Sequence, residues 1–151
     1  MLFITRSSSL VGALMFFCIT RNICAQVYRN MSSLAGVYSV AYVTVPNGTV
    51  AKKIARGLVE NKLAACVNII PQLTSIYEWE GKIQEDSELL LMIKTRTEKV
   101  DALTKYVKDN HPYTVCEVIS LPIQNGNGDY LKWISEVVPS LDKSIQEKQD
   151  T

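Results

Sequence analysis

Histidine is almost missing from this chain: His111 is the single one in 151 residues. One histidine and scattered carboxylates make no recognisable catalytic triad. No phosphate-binding glycine loop, HExxH or GxSxG string occurs, which leaves no identifiable enzyme signature. Cysteine is scarce too. Of four, Cys18 and Cys24 fall in the first 30 residues, and only Cys66 and Cys116 remain beyond them. Two widely spaced thiols build neither a disulfide framework nor a CxxC zinc site. Acid is absent before Glu60, whereas the first 30 residues hold Arg6, Arg21 and Arg29. Residues 31–151 then carry 13 basic against 15 acidic side chains, a net charge near −2. That balance lacks the basic stripe of nucleic-acid binders and argues against a nucleic-acid partner. No apolar run is long enough to span a bilayer as a helix: residues 10–19, LVGALMFFCI, are only half the required length.

Residues 1–30 read as a targeting segment. Arg6 precedes the apolar run and small residues follow near Cys24 and Ala25, which resembles a secretory signal and points to the secretory pathway or its membranes. The rival reading is a mitochondrial presequence, which the arginines, serines and lack of acid support. Translation from Met31 would instead leave a cytosolic domain. Asn30-Met31-Ser32 and Asn47-Gly48-Thr49 fit the glycosylation acceptor pattern, although Asn47 also suits a turn before a helix.

Residues 37–138 alternate strand and helix signals, and 139–151 form a polar tail. Tyr38–Pro46 is β-rich and ends at a Pro-Asn-Gly turn. Over Thr49–Lys62, Val50, Ile54 and Leu58 recur at helical spacing, with Thr49 as the expected N-cap. The runs 64–80 and 82–94 flank Glu80-Gly81 and predict a hairpin with arms longer than the usual 3–10 residues. Pro71 interrupts the first arm and predicts a bulge or edge. The hairpin overhangs a small subunit and bares Ile76, Tyr77 and Trp79, a pairing liability that a second copy would cover. Thr95-Arg96-Thr97-Glu98 fits a capping box, followed by a helical face of Val100, Leu103 and Val107 that ends near Asn110. Tyr113–Leu121 reads as strand four, and Asp129–Val138 as a last helix with Leu131, Ile134 and Val138 inward. The order β-α-β-β-α-β plus a C-terminal helix predicts an α+β, ferredoxin-like fold with an antiparallel sheet.

Five strings occur in order across about 100 residues: Thr44-Val45-Pro46, Lys62 to Asn68 (KLAACVN), Tyr77-x-Trp79-x-Gly81-Lys82, Ile93-Lys94-Thr95 and His111-Pro112-Tyr113. Together they resemble the CutA divalent-ion tolerance family. The resemblance implies a homotrimer of ferredoxin-like subunits, a non-catalytic role, and copper or another divalent cation as ligand. It also implies two other roles. Animal members have been linked to assembly and membrane anchoring of acetylcholinesterase, and the trimer is similar to small-ligand PII signalling proteins. Thr114 and Cys116 depart from the family pattern, where an acidic residue and a proline or small residue are common. The change places a thiol near His111.

The candidate metal ligands are His111, Cys116, Glu117 and Cys66. Imidazole and thiolate suit copper. Their ordinary roles are a helix end before Pro112, small buried strand residues and a solvent-facing carboxylate. In the split βαβ topology Cys66 and His111 fall at opposite ends of the sheet, so His111, Tyr113, Cys116 and Glu117 form the expected local cluster. Tyr77 and Trp79 are candidates for a ligand wall or an interface anchor. Lys94 could bind an anion or sit at the surface.

Overall fold

The computed structural model describes residues 36–141. The targeting segment, the Asn30 acceptor and the tail beyond residue 141 lie outside the described residues. The elements are β1 (Tyr38–Val45), α1 (Gly48–Glu60), β2 (Cys66–Trp79), β3 (Lys82–Arg96), α2 (Val100–Asn110), β4 (Ile119–Pro122) and α3 (Gly128–Val137). The strands form one sheet in the order β2-β3-β1-β4, every neighbouring pair antiparallel. This is the ferredoxin-like arrangement expected of the element order.

One face of the sheet is dry. Ala41, Val43 and Val45 of β1 and Leu91 and Ile93 of β3 alternate onto it. They pack against Ala51, Ile54 and Leu58 of α1 and Leu103 and Val107 of α2. Gly57 allows the two helices to approach, because a Cβ there would meet the Tyr106 hydroxyl at 1.7 Å. A smaller cluster joins Tyr38 and Ala65 to Leu131, Ile134 and Val138. The Arg96 guanidinium fastens α3 there, donating to the carbonyls of Val138 (2.7 Å) and Ser135 (3.2 Å). Those carbonyls belong to the helix C-terminal end, which favours a cation.

Several local expectations give way to tertiary pairing. The cap of α1 is Asn47, not Thr49: its Oδ1 accepts from the N–H groups of Thr49 and Val50. Thr95 caps no helix. It stays in β3 opposite Ser39, fully buried, and its hydroxyl donates to the Leu63 carbonyl. A 3-10 turn at Thr97–Lys99 then leads into α2 without a side-chain cap. Strand four is short, Ile119–Pro122, so residues 113–118, Cys116 included, form a loop.

The hairpin is as long as expected, with arms of 14 and 15 residues. Glu80 (φ 52°) and Gly81 (φ 74°) make its turn, the pair of positive angles that matches strand twist. The register slips by one residue between Ile70 and Leu73, beside Pro71 and Gln72, whose φ is 64°. An extra residue in one strand reverses which side chains share a face. Leu73, Ser75, Tyr77 and Trp79 therefore join the face of Cys66, Asn68 and Ile70. Ile76 points to the other side.

Replacing Gly57 by Ala is expected to destabilise the domain. Helix propensity would gain about 1 kcal/mol, but displacing Tyr106 from its seat costs about 1–3 kcal/mol. Urea unfolding of Gly57→Ala against a Gly57→Ala, Tyr106→Phe double variant measures it. The double variant should regain part of the loss, because the clashing oxygen is gone.

Candidate functional site

A cleft of about 610 Å³ opens where the hairpin leaves the body of the domain. One wall is the hairpin face that the bulge creates: Ser75, Tyr77 and Trp79 on β2, Asp86 and Glu88 on β3. Thr44, at the end of β1, forms part of the floor. The opposite wall is the loop after α2, with Tyr113, Thr114 and Glu117.

His111 sets that loop in place. Its Nε2 lies 2.9 Å from the carbonyl oxygen of Thr44, and its Nδ1 accepts the backbone N–H of Tyr113 at 3.1 Å. A carbonyl only accepts, so Nε2 carries the proton and Nδ1 supplies the lone pair. The ring is the neutral Nε2–H tautomer with both nitrogens committed. It also meets the Tyr113 ring edge-on, at a centroid distance of 5.0 Å. The imidazole thus ties the end of α2 to β1 and turns Tyr113 toward the cleft.

The charged groups of the lining are three carboxylates, Asp86, Glu88 and Glu117. Glu88 is only 6% exposed, and its Oε2 accepts the Ser75 hydroxyl at 2.6 Å. Asp86 accepts the Tyr77 hydroxyl at 2.6 Å. That bond to a carboxylate favours the protonated phenol and pushes Tyr77 up to about 12. Tyr113 is also raised, first by burial and then by the charges of Glu88 and Asp86.

The expected ligands separate. Tyr113 and Glu117 line the cleft with Tyr77 and Trp79. Cys116 turns away and packs against the apolar core. Cys66 lies opposite Lys94, which pairs with Val40, whereas His111 holds Thr44. Four residues along β1 amount to about 13 Å, too far to share an ion at 2.0–2.3 Å. Cys66 instead lies beside Tyr130, whose hydroxyl is raised first by burial and then by the neighbouring thiol. Lys94 donates to Asn68 and to the Met92 carbonyl, away from the cleft. Among the described residues no three His, Cys, Asp or Glu side chains converge as a metal would require. His111, Cys116, Glu117 and Cys66 therefore do not fit a copper centre within one copy.

Sequence reasoning missed Thr44, Ser75, Asp86 and Glu88. Counting back from the Glu80-Gly81 turn pairs Tyr77 with Gln84 and Ser75 with Asp86. That count was available and would have placed Asp86 beside the aromatic residues.

Comparison with known proteins gives one consistent answer. The model of a family described as "CutA1 divalent ion tolerance protein" matches residues 39–137. A Xenopus laevis protein named Protein CutA homolog is 69% identical over 108 residues, covering 72% of either chain. The human Protein CutA is 59% identical over 110 residues, or 73% of this chain and 62% of the human one. The crystal structure of CutA1 from Oryza sativa superposes with a TM-score of 0.68 at 50% identity, covering 71% of this chain and 98% of that one.

The Tyr77–Asp86 bond has a pH signature. The folded state holds the Tyr77 proton more tightly than the unfolded chain, so its contribution is complete below the ordinary phenol pKa of 10.0 and is lost as pH rises through about 12. Ultraviolet titration should show a late-ionising phenol that vanishes in Tyr77→Phe and moves earlier in Asp86→Asn. An unchanged curve in Asp86→Asn would remove Asp86 as the cause.

Proposed function

Since the chain belongs to the CutA1 divalent ion tolerance family, we propose that it works as a non-catalytic homotrimer in the response to divalent metal ions, copper foremost. The observation that carries this reading is the second face of the sheet. Helices α1 and α2 cover only the first, and α3 reaches the second only around Tyr38 and Cys66. The rest displays Val40, Tyr42, Leu90 and Met92, half-buried, beside Ile70, Ile119 and Leu121, which are 40%, 55% and 57% exposed. Leu121, Val40 and Lys94 lie in one row across the strands, and Ile119, Tyr42 and Met92 in the next. A continuous apolar sheet face of this kind marks an association surface. The hairpin supplies a long edge that a neighbouring copy would cover.

In this reading copper is held by residues of more than one copy, because one copy gathers too few free ligands. His111 then has a structural role, and Cys116 a packing role.

Two measurements test the proposal. Sedimentation at micromolar concentration should give a trimer, and a monomer there would overturn the assembly. Copper titration of the His111→Ala, Cys116→Ala double variant should leave affinity close to the parent. Disturbing even the outer shell of a bound metal costs about 10–100-fold, so a loss of that size would return the site to this loop. Thermal stability of the variant should fall, since the hydrogen bonds to Thr44 at the end of β1 and to the Tyr113 backbone disappear with the ring.

A further inference from the structure

The geometry points to a modification site: we propose that Asn125 is where this chain deamidates spontaneously, while the fold spares its other asparagine–glycine pairs. The inference depends neither on the trimer nor on a metal.

The chemistry needs an asparagine whose neighbour leaves room for ring closure. The backbone nitrogen of the next residue attacks the side-chain Cγ. A C–N bond forms, and the side-chain amide leaves as ammonia with the proton of the attacking nitrogen. Water then opens the cyclic imide to aspartate or isoaspartate, so no reactant besides water is consumed. A following glycine favours the step, because it has no Cβ to obstruct the ring and the widest backbone freedom. The sequence has three such pairs, Asn47-Gly48, Asn125-Gly126 and Asn127-Gly128.

The fold treats them differently. Asn47 caps α1, its Oδ1 accepting from the N–H groups of Thr49 (3.1 Å) and Val50 (3.0 Å). Asn127 caps α3, its Oδ1 accepting from the Asp129 N–H at 3.0 Å, and its carbonyl takes the Leu131 N–H. Cyclisation at either position must first break a helix cap, which slows it by about fivefold on the usual strength of such caps. Asn125 has no such tie. It and Gly126 are exposed, in neither helix nor strand. Ile123 is the last residue held before them, its N–H donating to the Tyr38 carbonyl at 2.8 Å, and residues 124–126 make no hydrogen bond. Both the Asn125 amide and the Gly126 nitrogen are free to turn toward each other. The loop follows the Ser39–Pro122 pair, at the end of the sheet away from the hairpin turn, so a copy that covers the overhang leaves it open.

The product differs from the parent in two ways. It gains one negative charge, which takes the formal net charge of the chain from +1 to zero. In its isoaspartate form it also gains one backbone carbon, two residues before the cap of α3.

Incubation of the full chain at neutral pH tests the proposal. Digestion under mildly acidic conditions, which slow cyclisation, and tandem mass spectrometry then read each asparagine. Asn125 should convert at least about fivefold faster than Asn47 or Asn127, the factor set by the caps. In urea the three rates should converge, because the caps are gone. Isoelectric focusing should show a first acidic step that is missing in Asn125→Gln, whose longer side chain cannot close the five-membered ring. Equal rates in the folded chain, an Asn125 that stays intact, an unchanged ranking in urea, or an acidic step that persists in Asn125→Gln would each overturn the proposal.

Discussion

The one-residue slip in β2 governs more of this protein than any single contact. An antiparallel ladder fixes which side chains share a face, and an inserted residue exchanges the faces from that point on. Here the insertion sits at Pro71 and Gln72, where proline donates no ladder bond and Gln72 adopts a left-handed backbone. Below the slip, β2 contributes Cys66, Asn68 and Ile70 to the open face. Above it, the same face continues as Leu73, Ser75, Tyr77 and Trp79. Strand β3 has no matching insertion, so Glu88 and Asp86 stay in line with Leu90 and Met92. Aromatic rings and carboxylates meet only because one strand changes parity and its partner does not.

The second wall depends on His111 in a different way. A loop of eight residues, 111–118, separates α2 from the short β4, and several of its side chains are exposed. The imidazole anchors the start of this loop to Thr44 and to the Tyr113 backbone at once. Both ring nitrogens are occupied by backbone groups. The residue type most readily associated with metal binding is therefore used as a two-sided hydrogen-bond clamp. Cys116, five residues on, goes to the core instead.

The two faces of the sheet divide the work. One is sealed by α1 and α2 and supplies the fold with its dry interior. The other is apolar but half-open, and it runs into the acidic, aromatic cleft at the hairpin end. The proposed association face and the cleft thus form one continuous surface.

Much of the fold was legible in sequence. Alternation in the strands, helical spacing of Ile54 and Leu58, the Glu80-Gly81 turn and the break at Pro71 each report a local rule that the structure obeys. Local rules failed where a competing partner lay far along the chain. Thr95 has the sequence of a helix cap, yet Ser39 and the Leu63 carbonyl claim it for the sheet. Tyr113 to Val118 has strand composition, but β1 pairs with β4 only from Ile119 onward. Of the site, the sequence identified Tyr77, Trp79, Tyr113 and Glu117 as side chains of interest. It did not bring Glu88 and Asp86 to them or turn Cys116 away. Residue type and spacing are properties of a short segment, whereas a cleft is an agreement among four segments about which way each one faces. Only the register of the ladder and the clamp at Thr44 settle that agreement.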